Sequence, residues 1–389
     1  MAKRLNLHSW HASHAKMGEY AGYEMPIMYS TIAEEHLAVR NDIGIFDVSH
    51  MGEIFFSGRD ALTFLQYVCT NDVSVPPPYS GTYTLILNER GAIKDEGLLC
   101  NLGDRYMLVY DAVAVDKIDA WIHTLLDSAT LFGKPDVVME NVTERMSLFA
   151  VQGPKSPLLA QELAGIDINA MWWFQQKKTE IVGQEVILSK SGYTGEIGFE
   201  LFILDNGDKA HAIWELLLEK GKKYGIKPCG LAARDTLRIE AGYSLYGHED
   251  NELQVLSSPV DSINAIEAGF DKWAFPVIRW EKEFVGKGAL LEQRKKGATR
   301  KIIHFQLEEA GIPREGYILK KGEVVVGRVT SGTQSITTKK GIGMGLVDVG
   351  VNVGDEILIE MKDREKKARV VTPPFYDSEK YGVFRKVVQ

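Results

Sequence analysis

Between Ser189 and Glu200 three glycines (Gly192, Gly195, Gly198) fall within seven residues, and the chain then enters an alternating apolar run of Phe199, Leu201 and Ile203. Glycine reaches backbone conformations closed to other residues, so this stretch can turn tightly and approach a ligand closely. The period-two alternation that follows predicts a strand with one buried face. Tyr193, Thr194, Glu196 and Glu200 lie among the glycines. They offer an aromatic face and carboxylate acceptors to a flat, hydrogen-bonding ring. Taken alone, the run also fits a plain glycine-rich turn before a core strand.

At 389 residues the chain exceeds one comfortable core, which predicts two or three domains. Hydrophobic residues make up 45% and charged residues 25%, the balance of a soluble globular protein. The net charge of −8 argues against nucleic acid as a partner and requires a local basic pocket for any anionic ligand. Cys69, Cys100 and Cys229 are odd in number and far apart, which fits a reducing compartment and neither a disulfide framework nor a zinc site. The N-terminus lacks the apolar core of a signal peptide, and no apolar run reaches the about 18 residues of a membrane span. A cytoplasmic protein without membrane contact is expected.

Thr31–Asn41 reads as a helix, with Thr31 and Glu34 as a capping box. From Glu53 the pattern becomes strand (54–57), helix (to Val68), strands (82–87, 92–100, 106–110) and helix (115–126), an α+β unit ending near residue 145. Strands at 147–153 and 180–190 and helices at 210–225 and 229–241 resume the earlier material, so the middle unit reads as an insertion. After residue 285, alternating segments at 301–308, 323–330, 343–349 and 355–361 predict a small all-β unit.

Asn88–Gly91 is a turn that makes 92–100 a return strand, on which Asp95 and Glu96 point to opposite faces. Composition does not say which face is buried, and an exposed acidic pair is equally consistent. Arg234 and Arg238 are four apart and share a helix face, with Asp235 in reach of Arg238. His8, His11 and His14 have no acidic or thiol partner nearby in sequence, so no metal site is expected. Gly341–Gly345 has the spacing of a dinucleotide loop but precedes a strand, and no Walker-type lysine follows any glycine cluster, so no nucleotide cofactor is expected.

Four runs in order, Ala21–Pro26, Ile45–Glu53, Ser189–Glu200 and Gly230–Gly242, resemble the aminomethyltransferase (T-protein) family of the glycine cleavage system. The resemblance extends from about Trp10 to the segment Thr372–Tyr376. It implies an α+β, three-domain folate-binding fold around a central hole, with a C-terminal all-β domain. Its division would be a discontinuous folate-binding domain (1–52 and 146–284), an inserted α+β domain (53–145) and a barrel-like domain (285–389). It also implies transfer of a one-carbon unit from aminomethyl-lipoyl H-protein to tetrahydrofolate, with release of ammonia.

By the same resemblance Glu96 is the catalytic carboxylate, in a pair with Asp95, although the family usually has two aspartates there. Glu200 matches the pterin-binding glutamate, Tyr193 a pocket aromatic and Arg234 a ligand-binding arginine. Met51, Tyr83 and Trp173 match pocket-lining positions, Asp111 stands where asparagine is frequent, and Trp273 follows Glu267–Phe270 as a family tryptophan does. The Glu96 and Asp111 departures favour one alternative, a tetrahydrofolate-dependent demethylase of a small methylated compound. A folate-binding protein of iron–sulfur assembly would carry a Lys-Gly-Cys-Tyr motif, absent here, and a fused flavin oxidase would carry a dinucleotide-binding domain. Arg40, Lys222 and Lys223 are candidate contributors to a basic surface for an acidic H-protein.

Overall fold

A computed structural model describes residues 2–128, 133–204, 207–250, 263–272, 276–362 and 364–386. Among the described residues, a six-stranded and a five-stranded sheet, a small three-stranded sheet (Lys3–Arg4, Tyr23–Met28 and Lys16–Tyr20, in spatial order), a closed barrel and the helices between them form the architecture. The six-stranded sheet runs, in spatial order, Gln176–Ile181, Gln184–Ser189, Gly198–Leu204, Met146–Gln152, Ile43–Asp47 and Ile226–Pro228. Its neighbouring strands Ile43–Asp47 and Met146–Gln152 pair antiparallel although about a hundred residues separate them. Those residues form the second sheet, ordered Ser80–Leu87, Ile93–Asn101, Tyr106–Tyr110, Gly52–Ser57 and Val138–Asn141.

The two sheets meet through a shared apolar layer that includes Phe46, Phe55, Met107, Leu148 and Phe202. Burial of such side chains, at about 25 cal/mol per Å² of apolar surface, holds the sheets together. The last strands close a barrel in the order Arg300–Leu307, Gly341–Asp348, Val324–Gln334, Ile318–Lys321, Glu356–Met361 and Arg364–Val371. The helix Leu231–Ala241 lies between the six-stranded sheet's unit and the barrel, and packs against both the Ile32–Asn41 helix and the Val324–Gln334 strand. Among the described residues no helix is long and apolar enough to cross a membrane.

The Ile32–Asn41 helix begins where its cap predicts, with Thr31 Oγ1 accepting from the Glu34 N–H at 3.2 Å. Several expectations need correction. The single strand expected at 180–190 is a hairpin that turns at Val182 and Gly183, both at positive φ. The helix expected to reach residue 225 ends at Gly221, and a short 3₁₀ turn, Lys222–Tyr224, follows. The barrel has two strands beyond the four expected. Of these, Arg364–Val371 buries only Ala368 and Val370, so its charged outer face hides the alternation.

Gly341, Gly343 and Gly345 lie inside a barrel strand. A Cβ on Gly343 or Gly345 would come within 2.5 and 2.8 Å of the Ser331 and Arg328 carbonyl oxygens. Close strand approach, not phosphate binding, explains them. Ala265, Ile266, Phe270 and Phe284 join Phe64, Leu85 and Ile93 in the core of the five-stranded sheet. Part of the segment expected to belong to the first unit therefore packs on the second. All three cysteines are free and buried.

Candidate functional site

A cavity of about 560 Å³ opens where the two sheets, the Leu231–Ala241 helix and the barrel converge. Each contributes side chains: Glu96 and Tyr83 from one sheet, Glu200 from the other, Arg234 from the helix, and Thr330 and Ser331 from the barrel. The volume falls within the range of small-molecule sites.

The glycine-rich loop and the strand after it build one end. Glu200 accepts from Ser191 Oγ at 2.5 Å. Burial raises its pKa above the ordinary carboxylate range, opposed by the Ser191 bond and the Arg234 charge. The Arg234 guanidinium lies 4.7 Å from the centre of the Tyr193 ring. Tyr193 is stacked on Tyr243 at 5.8 Å, and its hydroxyl donates to the Ser244 carbonyl.

The two helix arginines share a face as their spacing predicts, yet their roles differ. Arg238 is 2% exposed and fully engaged by Asp235 at 2.8 Å, Glu249 at 3.0 Å, the Tyr243 carbonyl at 3.2 Å and Ser331 Oγ at 2.8 Å. The Arg234 guanidinium lies against the Tyr193 ring but makes no hydrogen bond or ion pair among the described residues, so its planar fork is available to a ligand.

On the facing wall, strand alternation separates the two neighbouring acids. Glu96 points into the cavity and receives a hydrogen bond from the Tyr83 hydroxyl. Burial, followed by the charges of Asp250, Asp111 and Glu249, pushes its pKa well up, with Arg238 opposing. Both effects favour the protonated form of this carboxyl over the charged one. Asp95 does not line the cavity. It is wholly buried and accepts from the backbone N–H of Glu96 at 2.8 Å and of Asp111 at 3.0 Å.

Asp111 borders the cavity, but its carboxylate also accepts from the Val113 N–H at 2.9 Å and caps the turn Ala112–Ala114. Met51 lines the cavity. Trp173 does not: it is 39% exposed, and its neighbour Phe174, at φ +63°, supplies the lining side chain. Trp273 lies outside the described residues.

Sequence reasoning passed over His50, Tyr20 and Phe174. His50 is 2% exposed, stands edge-on to Tyr20 at 5.7 Å, and among the described residues its Nδ1 has no hydrogen-bond partner. Burial and then the Arg234 charge bring its pKa down to about 3, so it stays neutral. Its position between Ser49 and Met51 was a signal, but a lone histidine in a run is also what a core contains. His11 shows that alternative: its ring is held between Asp47 at 2.8 Å and the Tyr29 hydroxyl at 2.7 Å.

Arg40 is not a surface residue. It is fully buried between Glu196 at 3.2 Å and Glu240 at 3.1 Å. Lys222 is exposed, and Lys223 pairs with Glu162 at 2.8 Å.

Comparison with known proteins agrees with this architecture. The domain described as "GCVT N-terminal domain" matches residues 7–261, and the "Glycine cleavage T-protein C-terminal barrel domain" matches residues 300–377. The chain is 53% identical over 401 residues to a "Probable aminomethyltransferase" of Thermococcus gammatolerans, covering 99% of this chain and 100% of that one. It is 44% identical over 366 residues to an "Aminomethyltransferase" of Bacteroides thetaiotaomicron, covering 93% and 96%. The crystal structure of the glycine cleavage system aminomethyltransferase T of Bartonella henselae superposes with a TM-score of 0.83 at 30% identity, covering 97% of this chain and 98% of that one. The chain therefore belongs to the glycine cleavage T-protein family and is an aminomethyltransferase, a transferase of the glycine cleavage system.

Proposed function

We propose that the acceptor is tetrahydrofolate and that the donor is the aminomethyl group carried on the lipoyl arm of H-protein. The observation that carries this reading is the convergence on one cavity of an acceptor carboxylate (Glu200), an aromatic face (Tyr193), an unpaired guanidinium (Arg234) and a second carboxyl (Glu96). A pterin edge presents an N–H and an exocyclic amine side by side, which a carboxylate accepts as two parallel bonds. Bound there, tetrahydrofolate supplies the nucleophilic nitrogens that take up the one-carbon unit.

The residues do the rest by holding and orienting. Glu200 and Tyr193 fix the flat ring, and Arg234 is placed to meet a polar edge or carboxylate. Orientation of this kind lowers the barrier by converting an encounter into a held geometry. Two C–N bonds to the folate nitrogens would replace the donor's C–N and C–S bonds: Glu96 is placed to pass a proton to the departing ammonia nitrogen and to regain one from a folate N–H, while the second folate N–H proton goes to the carrier sulfur, which leaves as a thiol. The demethylase alternative rests on Glu96 and Asp111; the Asp111 carboxylate caps its own turn, and Glu96 serves a proton transfer in either reaction, so neither gives another donor separate support.

Incubation with aminomethylated H-protein and tetrahydrofolate should release ammonia at a rate that depends on both. The Glu200→Gln variant should bind tetrahydrofolate about 1–3 kcal/mol more weakly, because an amide donor would face donors on the ring. Turnover of a free methylated amine with no ammonia from aminomethylated H-protein would overturn the reading.

A further inference from the structure

The side of the glycine-rich loop away from the cavity is held by the end of the chain. The Gly195 carbonyl accepts from the Val383 N–H at 3.0 Å and from the Tyr376 hydroxyl at 3.4 Å. The buried Glu196 carboxylate accepts from the Gly382 N–H at 2.8 Å, from Arg40 at 3.2 Å and from the Arg385 guanidinium. Arg385 also donates to the Arg40 carbonyl at 3.0 Å, so a single side chain ties the loop to the Ile32–Asn41 helix. Arg40 in turn lies 4.4 Å from the centre of the Tyr376 ring.

Gly195 and Gly382, at φ +78° and +80°, make this contact possible. A Cβ on either would stand 2.5 or 2.7 Å from the Tyr376 hydroxyl. The cavity side of the same loop carries Ser191 and Tyr193, while Glu196, Gly382 and Arg385 do not line the cavity. The matched C-terminal barrel domain ends at residue 377, so the clamp residues lie beyond it.

We propose that residues 382–385 are a positioning clamp for the folate-binding loop, with Arg385 acting through Glu196. A loop with three glycines has much backbone freedom to lose on ordering. Where the clamp has already ordered the loop, a ligand need not do so, and affinity is kept. The clamp touches neither ligand nor reacting atoms. Its removal therefore weakens binding of the folate and leaves turnover at saturation alone.

The inference rests on the tetrahydrofolate reading above, and its test separates the two. Calorimetric binding of tetrahydrofolate and steady-state ammonia release are measured for the wild type, Arg385→Ala, Arg385→Lys and a chain ending at Tyr381. Arg385→Ala and the shortened chain should bind tetrahydrofolate about tenfold more weakly, the scale of one lost charge-assisted bond. Turnover at saturating folate should be unchanged, Arg385→Lys should recover most of the affinity, and a peptide of residues 378–389 should restore it to the shortened chain.

If shortening unfolds the chain, the contrast between Arg385→Ala and Arg385→Lys decides. Affinity of folded Arg385→Ala within about twofold of a wild type that binds tetrahydrofolate overturns the clamp alone. Reduced turnover at saturation with unchanged affinity overturns it as well. A wild type that binds no tetrahydrofolate overturns the reading on which the clamp depends.

Discussion

Asp95 and Glu96 differ by one position and one methylene, yet strand pleating gives them separate work. Glu96 faces the cavity with its pKa pushed up by burial, while Asp95 ties its own strand to the Asp111 turn through two backbone N–H bonds. Glu96→Gln should lower turnover by about 10²–10⁴-fold with folate binding kept, the range of general acid–base contributions. Asp95→Asn exchanges an acceptor for a donor against a backbone N–H and should lower stability by about 1–3 kcal/mol, with the smaller effect on turnover. Urea unfolding and steady-state kinetics on the two variants check the ranking. The reverse order would mean that Asp95 serves the chemistry and Glu96 the fold.

Among the elements, the strand Gly198–Leu204 carries Glu200 into the cavity, and its first residue sets how closely it lies on Met146–Gln152. A Cβ at Gly198 would come within 2.5 Å of the Val151 carbonyl oxygen, a backbone atom that cannot swing aside. Gly198→Ala should push this strand outward and displace Glu200, reducing tetrahydrofolate affinity together with thermal stability. Gly183→Ala, at a hairpin turn where an added Cβ meets only the Lys209 ammonium at 4.0 Å, should carry the cost of its positive φ without the loss of affinity. Equal affinity in both variants would detach the strand's seating from binding.

In the molecule as a whole, the Leu231–Ala241 helix joins the Arg234 side of the cavity to the barrel through buried charge. Arg238 meets Glu249 and Ser331, and Glu240 accepts from Ser335 at 2.6 Å and from the Thr337 N–H at 3.0 Å. Removing one partner of a buried pair leaves the other desolvated and uncompensated. Arg238→Met should therefore cost about 3–5 kcal/mol in global unfolding, well above the cost of losing an exposed ion pair. Denaturant titration followed by tryptophan fluorescence measures it, and a cost below that of an exposed pair would show that the barrel is held by apolar contact alone.

The local elements and the residue chemistry of the loop follow from short-range patterns in the chain. Helix caps, strand alternation and the glycine spacing all act over a few residues, so the Thr31 cap, the opposite faces of Asp95 and Glu96 and the shared face of Arg234 and Arg238 could be read directly. Tertiary structure decided which of those faces meets the cavity, because that depends on how two sheets pack, not on strand pleating. It also decided that Arg238 pairs with Glu249 while Arg234, among the described residues, has no ion pair, that Arg40 is buried, and that His50 stays neutral beside Arg234. Burial and charge pairing are long-range properties: they arise only when residues as distant as Glu196 and Arg385 share one dry interior, and no local pattern encodes that meeting.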